Sequence, residues 1–128
     1  MPSICLLVQI LNERPIGPGP VEISLSQLTR NLYSIDNYSD QVTFSYARKI
    51  IEDHQPLVIF YFEDSSVPAT NLRLVFSSLR AFKGKLQILT NFKSSQLKIL
   101  SNQHITSMYE NVEDLEEKIL PLLQNKRI

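Results

Sequence analysis

Short, nearly continuous apolar runs are the feature of this 128-residue chain that most restricts its fold. The clearest are residues 4–11 and residues 57–62, and the second run contains only aliphatic and aromatic side chains. Runs of this length are typical of strands that are covered on both faces, as the strands of parallel sheets are. Residues 86–89 and 105–109 are shorter runs of the same kind. We predict at least four strands, with residues 57–62 inside the sheet because they carry no charge or proline to protect an edge.

Apolar side chains at helical spacing occur between these runs. Residues 40–55 are predicted to form a helix that Ser39 or Asp40 caps, and residues 72–82 form another that Gly84 stops. The predicted buried face of the first helix consists of Val42, Tyr46, Ile50 and Ile51, and that of the second consists of Leu72, Val75, Phe76, Leu79 and Phe82.

Two further helices follow the later strands. Ser94 or Ser95 is predicted to cap a short helix, and Asn111, with Asp114 three residues on, is predicted to cap the last one. Acidic residues crowd the start of this last helix and suit its dipole, so we interpret them as helix stabilisation rather than as a metal site. Its predicted buried face consists of Val112, Leu115, Ile119, Leu122 and Leu123.

Residues 14–20 and 24–35 give weaker signals. The first segment alternates proline with glycine and is predicted to be an irregular surface loop. In the second, Ser24 and Gln27 fit a capping box, and leucines recur on one helical face up to Ile35. Residues 21–26, however, alternate like a strand. We predict a helix over 24–35 and keep a strand as the alternative.

Strands that alternate with helices predict parallel pairing with right-handed crossovers. The expected fold is a single α/β domain over residues 1–128, a three-layer α/β/α open sheet of four or five mostly parallel strands with helices on both faces. In such sheets ligands bind beyond the carboxyl ends of the strands. Candidate ligand-binding residues at those ends are Asn12, Glu13, Thr90 and Asn91.

Charge and cysteine content limit the partners that we expect. Thirteen basic residues balance thirteen acidic ones, so no net charge draws the chain to nucleic acid or to an anionic membrane. The single cysteine, Cys5, lies in an apolar run and is predicted to be a buried thiol. The start of the chain is predicted to be neither a signal peptide nor an anchor, which makes the cytoplasm the expected location.

Several kinds of site are not supported by the sequence. Three glycines are too few for a phosphate-binding or dinucleotide-binding loop, and the prolines around Gly17 and Gly19 remove amide donors. His54 and His104 have no second ligand at metal spacing and are predicted to lie at the surface or at the boundary of the core. We therefore expect no cofactor, no metal and no catalytic residues.

Asp64, Ser65 and Ser66 stand between a buried strand and an amphipathic helix. An exposed serine at a helix start is suited to phosphorylation or to anion binding, whereas the simpler interpretation is a helix cap. With residues 72–89, 95–100 and 105–117, this group resembles the second half of a STAS domain, the family of the anti-sigma-factor antagonists. The resemblance covers about half of the chain. It implies a non-enzymatic partner-switching module in which a kinase-like partner phosphorylates Ser65.

The function that we prefer on the sequence alone is a non-catalytic regulatory or protein-binding module, whose partner is another protein. The alternative is a small-ligand or nucleotide-binding domain with its site at the carboxyl ends of the strands. A third hypothesis, a homodimeric structural subunit, rests on the number of tyrosines, which exceeds what a small core needs.

Overall fold

The computed structural model describes residues 4–64 and 70–124 and contains one five-stranded parallel sheet. The strands are β1 (Cys5–Ile10), β2 (Leu32–Asp36), β3 (Leu57–Phe62), β4 (Gln87–Thr90) and β5 (Ile105–Met108). The helices are α1 (Pro20–Leu28), α2 (Gln41–His54), α3 (Arg73–Ala81), α4 (Ser95–Leu100) and α5 (Val112–Gln124), and a 3₁₀ turn, Thr70–Leu72, precedes α3. The predicted α/β class with helices on both faces is confirmed.

The strands lie in the order β2-β1-β3-β4-β5, and every neighbouring pair is parallel. Alternate residues of β1 serve opposite faces. Leu6, Val8 and Ile10 pack with α2, α3 and α4, whereas Cys5 and Leu7 pack with α1 and α5. The sheet therefore separates two apolar layers, and β1 and β3 are buried on both sides. The predicted interior position of β3 is confirmed, since β1 and β4 flank it.

The prediction for residues 24–35 is wrong in its second half. The helix begins at Pro20, which suits a first helical position because its missing N–H would have no partner there. It ends at Leu28, because Thr29 is extended, and the chain then enters β2. The strand alternative for residues 21–26 is also wrong. Pairing of β2 with β1 outweighs the helical spacing of the leucines, as tertiary contacts commonly do.

The predicted capping box of α1 is absent, and Ser24 has another use. Its hydroxyl donates to Glu116 Oε2 at 2.6 Å and so connects α1 to α5. The N-cap is Gly19, whose carbonyl accepts from Ile23 N at 2.9 Å. Three other predicted caps are confirmed, because the side chains of Asp40, Ser94 and Asn111 accept from the amides of Thr43, Leu97 and Asp114.

Two predicted features near helices differ in detail. Val42 and Tyr46 are exposed rather than buried, because the buried face of α2 is shifted to Phe44 and Ala47 together with the predicted isoleucines. Gly84 lies two residues beyond Phe82, the C-cap of α3, and takes φ +142° in the turn that follows.

Cys5 and His104 are both buried. For Cys5 this confirms the prediction, and burial raises the pKa of the thiol to about 11. His104 is not at the surface: Nδ1 accepts from Leu86 N at 3.1 Å, which leaves Nε2 to donate to Leu79 O at 2.8 Å. The ring thereby connects the end of α3 to the start of β4.

Candidate ligand-binding cleft

The order of the strands creates a crevice between β1 and β3. The chain leaves β1 through α1 towards β2, and it leaves β3 through α3 towards β4 on the other side of the sheet. Connections that diverge in this way open a crevice at the carboxyl ends of the two strands, the usual binding place in open α/β sheets. Here the structure has a cleft of about 410 Å³. Its walls come from the loop between β1 and α1, and from Tyr61 and Glu63.

The floor of the cleft contains two polar side chains. Gln9 and Tyr61 are register partners on adjacent strands, and both face the layer of α1 and α5. Gln9 is only 4% exposed, and its Nε2 lies 3.5 Å from Glu22 Oε1 and 3.4 Å from Ser34 Oγ. These are long hydrogen bonds for a buried amide. The site therefore holds a buried polar group whose hydrogen bonding is only weakly satisfied within the protein.

The orientation of the Gln9 amide follows from its neighbours. A carboxylate only accepts, so the amide nitrogen faces Glu22 and the carbonyl oxygen faces away from it. That oxygen lies beside Gly19, where an added Cβ would be 3.6 Å from Oε1. Gly19 also lines the cleft. An acceptor is thus presented at the base of the cleft, next to the start of α1.

The rim is held by Asn12, the second residue of the loop that follows β1. Asn12 N donates to Glu63 Oε1 at 2.8 Å, and Tyr38 Oη donates to Asn12 O at 2.8 Å. The guanidinium of Arg14 lies 5.5 Å from the centre of the Tyr38 ring, within the range of a cation–π contact. The entrance to the loop is therefore fixed from the side of β3 and from the side of β2.

Acceptors outnumber cations around the cleft. Glu13 and Glu63 line it, and Glu22 lies in the first turn of α1. Arg14 is the one cation among the described residues that line the cleft. Partial burial, and after it the charge of Glu63, raises the pKa of Tyr61, so its phenol is neutral at pH 7 and can donate a hydrogen bond.

Of the predicted ligand-binding residues, Asn12 and Glu13 line the cleft and the other two do not. Thr90 is fully buried, and its hydroxyl donates to Phe92 O at 2.8 Å. The side-chain amide of Asn91 accepts a hydrogen bond from Phe62 N and donates one to Phe62 O. Asp64 is exposed next to Glu63, whereas Ser65 and Ser66 lie outside the described residues.

The sequence pattern does not point to Gln9 and Tyr61 as site residues, although it contains one signal for Gln9. Gln9 is the single polar residue in the run that forms β1. A polar side chain in a strand buried on both faces must find a partner or face a cavity, and here it does both.

Comparison of the chain with protein-family models, with curated proteins and with solved structures finds no match. In residues 4–64 and 70–124, no three His, Cys, Asp or Glu side chains are grouped so that they could hold a metal ion. Nor is any helix in this part of the chain both long and apolar enough to cross a membrane.

Proposed function

We propose that the domain binds a small polar ligand in the cleft between the carboxyl ends of β1 and β3. The observation that carries this proposal is Gln9, a buried amide at the base of a cleft of about 410 Å³. Binding sites combine a mostly preformed concave surface with a few placed polar groups, and the volume lies in their usual range of about 300–1,000 Å³. The proposed activity is binding without a catalytic step.

The charges favour a ligand that donates hydrogen bonds over a phosphate ester. Pro20 has no N–H, and the carboxylate of Glu22 already lies in the first turn of α1. A phosphate in the cleft would also meet Glu13 and Glu63, with Arg14 stacked on Tyr38 as its counter-charge. An uncharged nucleoside or a small amine fits this environment better than a nucleotide, because its N–H and O–H groups would meet acceptors.

The proposal can be tested by amide NMR titration with adenosine, agmatine and adenosine monophosphate. We expect shifts for the amides of Gln9, Asn12 and Tyr61 with adenosine or agmatine, and weaker ones with the monophosphate. Gln9→Leu removes the polar floor without changing the size of the side chain much, so we expect it to abolish the shifts while the thermal midpoint is kept. Gln87→Leu, a half-buried position on β4, is the matched control. Shifts that avoid the cleft, or shifts that survive Gln9→Leu, would contradict the proposal.

A second candidate function is the regulatory, protein-binding module that the STAS resemblance implies. Its support is the Asp64-Ser65 pair in the sequence between β3 and α3, the position at which the family has its Asp-Ser pair. A phosphate on Ser65 would add about two negative charges and alter docking to a protein partner. Ser65→Asp should then lose a partner that Ser65→Ala retains in a pull-down from the native cells. The switch hypothesis fails if the pull-down finds no partner that is sensitive to Ser65→Asp and mass spectrometry finds no phosphate on Ser65. Only the interpretation as a helix cap would then be left.

We also propose that the protein works in the cytoplasm. A separate proposal is that two copies of the chain pair along the edge of the sheet that β2 forms. Tyr33 and Tyr46 form an edge-to-face pair there with ring centres 5.0 Å apart, and Tyr46 is 56% exposed. Exposed tyrosines are common at interfaces. Sedimentation equilibrium should show a dimer that Tyr46→Ser weakens, and a monomer for the unaltered chain at high concentration would exclude it.

A further inference from the structure

The net charge of the chain is zero, but its basic and acidic residues are unevenly distributed along the sequence. Between Asp64 and Glu110 the sequence has six lysine and arginine residues and no aspartate or glutamate. All thirteen acidic residues therefore lie outside this stretch. A chain with zero net charge can therefore still present a strongly basic surface. The local charge of that surface, and not the net charge of the chain, acts on a partner that docks there.

The cationic side chains of this stretch lie on α3 and α4 or in the turns beside them. The basic stretch forms α3, β4, α4 and β5, and its six cationic side chains are all exposed. They are Arg73, Arg80, Lys83, Lys85, Lys93 and Lys98. The helices α3 and α4 cover one face of the sheet beside α2, which carries two basic and two acidic residues, while α5, whose first residues are acidic, covers the other face. The protein thus has a basic surface opposite an acidic helix.

A groove of about 510 Å³ lies on this basic surface, lined by α3 and by Gln96 of α4. Arg73 and Arg80 both line it, two helical turns apart, which corresponds to about 10 Å along the helix axis. Within the described part of the chain, neither arginine forms an ion pair. Half-buried Leu74 adds an apolar side chain to the lining.

We propose that this groove is a docking surface for an acidic segment of a partner protein. Guanidinium groups bind carboxylates in pairs of parallel hydrogen bonds. In a polyproline II peptide, which has three residues per turn and a rise of about 3.1 Å, side chains three residues apart lie on one face about 9 Å from each other, close to the spacing of the two arginines. An aliphatic side chain between the two acids would then lie against Leu74.

A nucleic acid fits this groove less well. Single strands bind through aromatic rings on which their bases stack, and Phe76, the one aromatic residue among the described residues of the lining, is only 1% exposed. The acidic remainder of the molecule would also repel a long polyanion. A short acidic segment contacts the groove without reaching that remainder.

The test is fluorescence anisotropy with the full chain and a short fluorescein-labelled peptide that has glutamates three residues apart and leucine between them. The same peptide with glutamines is the control probe. We expect the glutamate peptide to bind more weakly as salt is added, and Arg73→Gln with Arg80→Gln to weaken it by about tenfold. Arg30→Gln with Lys49→Gln removes the same charge from other exposed positions and should weaken it by less than about twofold. Unchanged circular dichroism for both double variants would establish that they fold.

Four results would overturn the proposal. The glutamate peptide does not bind even at low salt, or both double variants weaken it equally, which would be a bulk charge effect. An oligothymidylate of the same charge binds more tightly than the peptide, which would make the groove a nucleic-acid site. The chain associates with itself at low salt through Arg73 and Arg80, and the peptide does not compete.

Discussion

Asn91 holds the backbone of Phe62 through both atoms of its side-chain amide. Its Oδ1 accepts from Phe62 N at 2.8 Å, and its Nδ2 donates to Phe62 O at 2.9 Å. Asn37 holds Leu11 in the same way, at 2.8 and 3.0 Å. In each case an asparagine that follows β4 or β2 continues the hydrogen bonding of the neighbouring inner strand with a side chain in place of a peptide group. These two amides therefore fix the ends of β3 and β1, between which the cleft lies.

The Asn91 contact predicts a loss of stability. Asn91→Ala leaves the N–H and C=O of Phe62 without their partners, which we expect to lower the free energy of unfolding by about 1–3 kcal/mol. Asn102→Ala, at an exposed turn position, should change it by less than about 0.5 kcal/mol. Urea denaturation measures both values. A neutral Asn91→Ala would show that the amide does not stabilise the strand end and would return it to the ligand-binding candidates.

Asn91 also shows how far sequence reasoning reaches at this site. The rule that polar residues at the carboxyl ends of parallel strands meet at one edge points to Asn12, Glu13, Thr90 and Asn91, of which only the first two line the cleft. It cannot tell whether an amide serves the backbone or a ligand, because that depends on distances between segments far apart in the chain. The same limit hid Gln9, whose role depends on the cleft beside it.

The elements were predictable where their signals are local. The strand β3 and the helices α2 and α5 follow from runs, stripes and caps within a few residues of one another. The strand β2 was not predictable in this way: it is a five-residue edge strand, mostly half-buried, and its formation depends on pairing with β1. The leucines before it fit a helix equally well, so only the tertiary contact decides.

Two glycines provide a matched test of backbone strain. Gly84 takes φ +142°, and an added Cβ would lie 3.2 Å from Cε2 of Phe82. We expect Gly84→Ala to lower the free energy of unfolding by about 1–2 kcal/mol. Gly17 has no atom within 4 Å of an added Cβ, so Gly17→Ala should be neutral or stabilise the protein slightly. Thermal or urea unfolding would decide, and equal effects would contradict the strain argument.

The buried thiol of Cys5 predicts a loss of stability in alkali. Burial raises its pKa from 9.0 to about 11, so the native state keeps a proton that the unfolded chain releases. The contribution of this thiol to the free energy of unfolding is fully present below pH 9. It falls by about 1.4 kcal/mol per pH unit between pH 9 and 11. Burial also raises the pKa of Tyr109 and adds a loss of the same sign at higher pH.

Cys5→Ala isolates the contribution of the thiol. The variant is less stable at every pH because it leaves a cavity, but its stability should fall less between pH 9 and 10 than that of the native chain. Urea titrations at several pH values measure the two slopes. Parallel slopes for the two proteins would mean that the thiolate is accommodated in the fold.

Shortening the loop that lines the cleft should weaken ligand binding while the free energy of unfolding stays nearly unchanged. Ile16 is fully exposed, and Gly17 has open space around it, so deleting both removes no packed side chain. The attachments of the loop, Arg14 on Tyr38 and Gly19 at the start of α1, remain. We expect the free energy of unfolding to change by less than about 1 kcal/mol, because shortening a flexible loop slightly alters closure entropy by only a few tenths. Ligand shifts at Gln9 should weaken, since one wall of the cleft is lost.

Arg14→Ala, which keeps the length of the loop, serves as the control for its attachment. A stability loss beyond about 2 kcal/mol would show that the tip is packed, and unchanged ligand shifts would place the site below the loop, against Gln9 and Tyr61 alone.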